Sequence, residues 1–426
     1  MRARPAAVPA ALAAAALVIS GCMAEESDEG ESGSPDTGQD AGHGAEGTEA
    51  PSGEEAEGSS FTILSTGDVL PHDAILHAAE LPDGGWDFLP LLEGVQEWVS
   101  GADLALCSME VPLAAPGEDP IGYPLFGAPE ELVEGLRETG FHGCNTANNH
   151  SMDSGVDGLE NTIETFEEHG MGHVGTSRSE QEAGQPQLYS LERGGREVTV
   201  AHLSTTLLHN PDHLPPEDEP WRVTDVDPEE LTEMAAEARE DGADLVVASV
   251  HWGDEYVHEP VQEQTDYAEA LADGGEVDLV YGNHSHTPQP LEELEGGPDD
   301  QGMHVVWSMG NFFSNQDEEC CVMETATGLM VLAQVDVPQE GPVRVSGLEW
   351  VPVTNDREGE SREDEEFRGI WALTELLEKG IPDGVGLEEE TLQQRYDRVA
   401  EVMGEESLRS EPAEPTGEEP EALPRG

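Results

Sequence analysis

Seven short apolar runs between residues 61 and 314 share one feature: each passes into a polar cluster at its carboxyl end. FTILSTGDV reaches Asp68, ADLALCSMEV reaches Glu110, and FHGCNTANNH ends on Asn149 and His150. VTVAHLSTT follows, then ADLVVASVHWG with His251, VDLVYGNHSH with His284 and His286, and HVVWSMGNFF with Asn311. Runs of this length, flanked by Gly or Asp, predict buried strands. Between them, PLLEGVQEWVS, PEELVEGLRETG, DGLENTIETFEEHG, PEELTEMAAEAREDG and QTDYAEALADGG place apolar residues three and four apart. Several stop at glycine, so these segments predict amphipathic helices. Strand, polar cluster, helix and strand in alternation predict an α/β fold with largely parallel strands. In such folds the ligand crevice lies beyond the carboxyl ends of the strands, so clusters far apart in sequence should converge.

The pattern changes after Gly310. TGLMVLAQVDV and VRVSGLEWVPV alternate apolar and polar positions, as antiparallel strands with one buried face do. Two amphipathic helices are predicted near 365–378 and 388–403, a packing appendage over 356–404. At the other end, MRARPAAVPAALAAAALVISGC carries Arg2 and Arg4 ahead of an apolar stretch too short for a membrane span. Ile19-Ser20-Gly21-Cys22 resembles the lipobox of bacterial lipoproteins. The resemblance implies a signal peptide over 1–21, cleavage before Cys22 and lipidation there, and several acyl chains make a stable anchor. The expected location is extracytoplasmic, on the cell membrane. Residues 22–60 and 405–426 are rich in Glu, Gly, Pro and Ser and have no apolar period. They read as a disordered acidic tether and a disordered acidic tail, leaving 61–355 as the main domain.

Composition sharpens this picture. The chain has 93 acidic and 17 basic residues, a net charge of −76, and Lys379 is its single lysine. Self-repulsion on that scale opposes a compact state in dilute salt, whereas at molar salt the Debye length falls to roughly 3 Å. A salt-loving source is expected, and nucleic-acid binding through a basic patch is excluded. Besides Cys22 there are Cys107, Cys144, Cys320 and Cys321. With no CxxC pair, a zinc ribbon is excluded. Cys107 and Cys144 sit in apolar runs and read as buried core thiols, while the pairing of Cys320 and Cys321 stays open.

The strand-end groups make a chemically coherent set. Asp68, Glu110, Asn149, His251, His284 and His286 offer mixed oxygen and nitrogen donors, which suit zinc, manganese or iron. Such an ion acidifies bound water toward neutrality, and a neighbouring histidine that does not ligate can protonate a leaving group. His284 and His286 are read as strand positions i and i+2, which would aim both imidazoles at one ion. Read alone, Asn148-Asn149-His150 fits either a helix cap or a site.

The ordered series GDV, DLALCSMEVPL, CNTANNHSMDSG, VVASVHWG, VDLVYGNHSH and WSMGNFF resembles the CapA family over roughly 61–355. These are poly-γ-glutamate capsule synthesis proteins with a calcineurin-like metallophosphoesterase fold. The resemblance implies a β-sandwich flanked by helices, here with a small helical C-terminal appendage. It also implies metal ligation by Asp68, Asn149, His251, His284 and His286, with His150 as general acid. Glu110 stands where a bridging aspartate is usual. Asp68 is followed by Val69 and Leu70 where the phosphoesterases carry a further histidine, so one ligand of a two-metal site is missing and one divalent ion, or two with the second held weakly, is expected. Asn148 is left to shape the turn. The implied function is a surface-anchored, metal-dependent hydrolase of capsule biosynthesis using metal-activated water, with poly-γ-glutamate or a similar anionic envelope polymer as partner. The alternative is a non-catalytic assembly, export or anchoring component that grips the polymer through the same metal crevice.

Overall fold

The apolar runs form strands that divide between two sheets. In chain order they are β1 (Ser59–Leu70), β2 (Leu104–Met109), β3 (Gly143–Asn145), β4 (Gly172–Val174) and β5 (Gln187–Arg193). Next come β6 (Arg196–Thr206), β7 (Leu245–His251), β8 (Leu279–Asn283), β9 (Leu291–Leu294) and β10 (Met303–Val306). The last are β11 (Asn311–Ser314), β12 (Thr327–Val337), β13 (Arg344–Glu358), β14 (Glu366–Ala372) and β15 (Glu421–Ala422). This computed structural model describes residues 58–82, 84–358 and 366–425. The expected signal peptide, Cys22 and nearly all of the expected tether lie outside the described residues.

One sheet runs β14-β13-β12-β1-β2-β3-β4, with β11 also on β1, and the other runs β15-β5-β6-β7-β8-β10-β9. Strand alternation sets the layers. Phe61, Ile63, Leu104 and Leu106 of the first sheet meet Val198, Val200, Leu245, Val247, Leu279 and Tyr281 of the second in one buried cluster. The intervening Leu64 and Ala105 point the other way, into a second cluster. That cluster is completed by helices α1 (Asp73–Ala79), α2 (Leu89–Leu92), α3 (Gln96–Ser100) and α4 (Glu131–Thr139). α5 (Gly155–Glu168) follows in the chain and packs beside the Asn149 turn through Leu159 and Ile163. Val246, Ala248 and Val280 lie beneath α6 (Pro228–Glu240) and α7 (Gln262–Gly274). The result is a β-sandwich flanked by helices, as expected. Each fully buried aliphatic side chain contributes about 1.5–3 kcal/mol, so three such clusters readily support the layers. Among the described residues no helix is long and apolar enough to cross a membrane.

Parallel pairing brings functional strand ends together. β1 pairs in parallel with β2, β2 with β3, and β7 with β8. The two sheets meet at these ends, where the backbone N–H of His284 approaches Asp68 Oδ2 at 3.4 Å.

Three expectations need correction. The helix predicted near 365–378 begins as a strand: Glu366–Ala372 pairs with β13, and only then does α8 (Leu373–Lys379) begin, followed by α9 (Glu389–Met403). Phe367, Ile370 and Ala372 are buried against the helices of the first sheet, which outweighs their helical spacing. The boundary drawn at 355 therefore falls inside β13. The C-terminal run expected to be disordered lies on the domain. Thr416 donates to the buried Asp103 from N at 2.7 Å and from Oγ1 at 2.9 Å, and β15 pairs with β5. Arg425 donates to the backbone oxygens of His173 and Thr176, each at 3.2 Å. Composition measures the apolar area a segment can bury, and this one is held by hydrogen bonds instead. Finally, Cys107 and Cys144 are buried as expected but face each other in register on β2 and β3 and form a disulfide. Cys320 and Cys321 bridge as vicinal partners.

Candidate metal centre

All seven strand-end residues converge. Asp68 is near the end of β1, Glu110 follows β2 directly, Asn149 and His150 follow β3, and His251 closes β7. Asp68 and Glu110 are wholly buried, and the others, except the half-buried His150, nearly so. Ser108 Oγ donates to Asp68 Oδ1 at 3.3 Å and accepts from Asn145 Nδ2 at 3.2 Å. This fixes the first carboxylate from the neighbouring strands.

The donors fall into two groups that share Glu110. Ligand atoms of Glu110, His251 and His284 lie within 4.8 Å of one another, and so do those of Asp68, Glu110 and His286. His251 Nε2 is 3.6 Å from Glu110 Oε1 and 2.8 Å from Asn149 Oδ1. His286 Nδ1 is 3.3 Å from Asp68 Oδ2 and 3.7 Å from Glu110 Oε2. The reading of His284 and His286 as strand neighbours aimed at one ion is thereby corrected. β8 ends at Asn283, and both histidines adopt left-handed backbone, with φ of 97° and 57°. A left-handed turn breaks the two-residue alternation, so the imidazoles diverge into different groups.

Electrostatics shows what the donors require. Burial, and then the Asp68 carboxylate, push the Glu110 carboxyl well above the usual range. Burial would lower His286, but Glu110 and Asp68 outweigh it and raise the imidazole to about 10. Burial, helped by His286, lowers His284 to about 3, and burial with His284 and His286 nearby holds His251 well below its ordinary value. Both oxygens of Glu110 and the Nδ1 atoms of His251 and His284 are buried without a hydrogen-bond partner. An uncompensated buried carboxylate costs several kcal/mol. Divalent cations between these groups would remove that cost, so the donor set fits them.

His150 stands beside the two groups. Its Nδ1 contacts Asp153 Oδ2 at 2.7 Å, the Asn210 amide lies 3.2 Å from the same nitrogen, and the Phe126 ring meets it edge to face at 4.9 Å. Asn148 does shape the turn: its Oδ1 accepts the His150 N–H at 2.9 Å, and its Nδ2 donates to Met109 O at 2.9 Å. Sequence reading missed Asp153 and Asn210. Asp153 carried a signal, lying three residues after His150 in NNHSMDSG, whereas Asn210 sits in a loop with no pattern around it.

A two-sheet sandwich with mixed oxygen and nitrogen donors gathered at its strand ends is the frame of the site. Residues 62–316 match the family described as bacterial capsule synthesis protein PGA_cap, and the chain belongs to that family. It is 33% identical over 187 residues to the PGA biosynthesis protein CapA of Bacillus subtilis (strain 168), covering 44% of this chain and 46% of that one. It is 31% identical over 192 residues to the capsule biosynthesis protein CapA of Bacillus anthracis, covering 44% of each. A probable polyglutamine synthesis accessory protein of Mycobacterium tuberculosis is 27% identical over 209 residues, covering 47% of this chain and 54% of that one. The matches thus span about half the length of these curated relatives. Among solved structures, the calcineurin-like phosphoesterase YfkN of Bacillus subtilis aligns over 81% of this chain and 98% of its own, at 15% identity and a TM-score of 0.40.

Proposed function

We propose that this protein is a metal-dependent hydrolase of poly-γ-glutamate or related envelope-polymer metabolism, held at the extracytoplasmic face of the cell membrane by a lipid on Cys22. The observation that carries the reading is Glu110: fully buried, unpartnered at both oxygens, and set between His251 and His286 with an oriented imidazole nearby. Asp68, Glu110, Asn149, His251, His284 and His286 would hold one or two divalent ions such as zinc, manganese or iron. When bound, such ions acidify water and polarise the scissile group.

The chain's own residues supply the rest. Asp153 accepts from His150 Nδ1, which leaves Nε2 as the atom that delivers a proton to the departing group. Phe126 covers one side of the ring and limits its rotation. The names of the relatives and the membership of the capsule synthesis family support the polymer assignment. The lipobox-like ISGC stretch supports the anchor. A chain of this charge repels a polyanion, so cations at the centre would also make the polymer contact.

The test is turnover by the metal-loaded protein at molar salt, offered phosphodiesters and poly-γ-glutamate, beside His150→Ala. Cleavage that the variant loses while still binding polymer supports the hydrolase. Polymer binding without turnover in the wild type establishes the assembly role instead.

A further inference from the structure

The first strand lacks a histidine after Asp68, which leaves the group around His286 with three donors, Asp68, Glu110 and His286. We propose that Asn311 completes this group as a fourth donor through its amide oxygen. The inference rests on the metal-centre reading above.

Position comes first. β11 runs parallel to the end of β1, with Asn311 in register with Asp68 and wholly buried. Gly67 permits this approach, because a Cβ there would run into the carbonyl of Gly310, which accepts the Asp68 N–H at 2.8 Å. Orientation comes second. Asn311 Nδ2 donates to Thr325 O at 2.9 Å and to Gln316 Oε1 at 3.0 Å. Both partners are acceptors, and reversing the amide would set its oxygen against two other oxygens. The oxygen therefore faces the site, 3.0 Å from His286 Nδ1.

The two groups then mirror each other. His251 Nε2 has Asn149 Oδ1 at 2.8 Å and Glu110 Oε1 at 3.6 Å. His286 Nδ1 has Asn311 Oδ1 at 3.0 Å and Glu110 Oε2 at 3.7 Å, with Asp68 Oδ2 at 3.3 Å. Each oxygen of Glu110 serves one group, and each group has its own asparagine. One N–H on His286 cannot satisfy three converging oxygens, and a cation can. With Asn311 the second group becomes three oxygens and one nitrogen, against two and two in the first. The second position is therefore the harder one and favours manganese over zinc relative to its neighbour.

Titration of the metal-free full chain with Mn²⁺ at molar KCl, followed by calorimetry and electron paramagnetic resonance, tests this. The wild type should take up two equivalents and show the exchange-coupled spectrum of neighbouring ions. Asn311→Ala should weaken one equivalent about tenfold or more and abolish the coupling, while Asn149→Ala should weaken the other. Asn311→Leu, which fills a similar volume but offers no oxygen, should likewise weaken one equivalent and abolish the coupling. It also serves if the alanine variant does not fold. A wild type that binds one ion, or folded Asn311 variants with both affinities unchanged, would overturn the proposal. Two ions retained in Glu110→Ala would instead overturn the metal-centre reading itself.

Discussion

Asp153 Oδ2 lies 2.7 Å from His150 Nδ1 and also accepts the backbone N–H of Phe126 at 3.0 Å. One buried carboxylate thus aligns the imidazole and the loop that packs against it. His150→Ala should lower turnover about 10²- to 10⁴-fold, the usual contribution of a general acid. Asp153→Asn should lower it less, about 10- to 10²-fold, with metal content intact in both. Metal lost together with activity, measured by elemental analysis, would make the pair structural.

His284 and His286 serve different groups although one residue separates them. His284→Ala and His286→Ala should therefore each weaken a different equivalent of bound metal, and the double variant should lose both. Unchanged metal content in the double variant would refute the site.

Acid should unfold the protein through buried histidines remote from the centre. Burial lowers His202 to about 3 and His142 to about 4, and His142 Nδ1 accepts the Ala105 N–H at 2.9 Å, which a proton there would break. In the unfolded chain both would titrate near about 6.5. Below that pH the unfolded state binds more protons, so stability falls from pH 6.5 toward 4 by about 1.4 kcal/mol per pH unit for each group. His202→Gln should flatten the decline in unfolding midpoint, and an unaltered slope would exclude it as a cause.

Asp103 ties four segments together. Its oxygens accept from Thr62 N at 2.8 Å, from buried Arg193 Nη2 at 2.8 Å and from both donors of Thr416. Asp103→Ala strands the guanidinium and should cost about 3–5 kcal/mol in chemical denaturation. Removal of residues 413–426 should cost a smaller part of that. A truncated chain as stable as the whole would mean the tail contributes nothing.

Charge makes a separate demand. At net −76 the unfolding midpoint should rise steadily as KCl is raised from 0.1 M to the molar range, as repulsion is screened. A midpoint indifferent to salt would remove the case for a salt-loving source.

Much of this architecture was legible because burial on both faces writes a strand as an apolar run, and parallel strands place their polar ends on one side. Asp68, Glu110, Asn149, His251, His284 and His286 were gathered as candidates by that rule, and the fold brings them together. What escaped notice depends on backbone conformation and long-range pairing. The left-handed turns at His284 and His286 leave no periodic trace. Asn311 stood at the end of an apolar run but with no role, and only its register with Asp68 reveals its neighbours. The β14 segment has apolar spacings compatible with helix, and its partnership with β13 decided otherwise. The C-terminal segment carries too little apolar area to announce its docking, which relies on Asp103 and the edge of β5.

The parallel pairing of β11 with β1 also fixes when in the life of the chain the centre can exist. Asp68 and Asn311 meet across most of the domain, and contacts so distant in sequence form late, after closure of the intervening loops. A folding chain has no complete set of donors until β11 has found its place beside β1. Cations at this centre would then seat only in the finished sandwich, as a seal on a fold already built by its apolar layers.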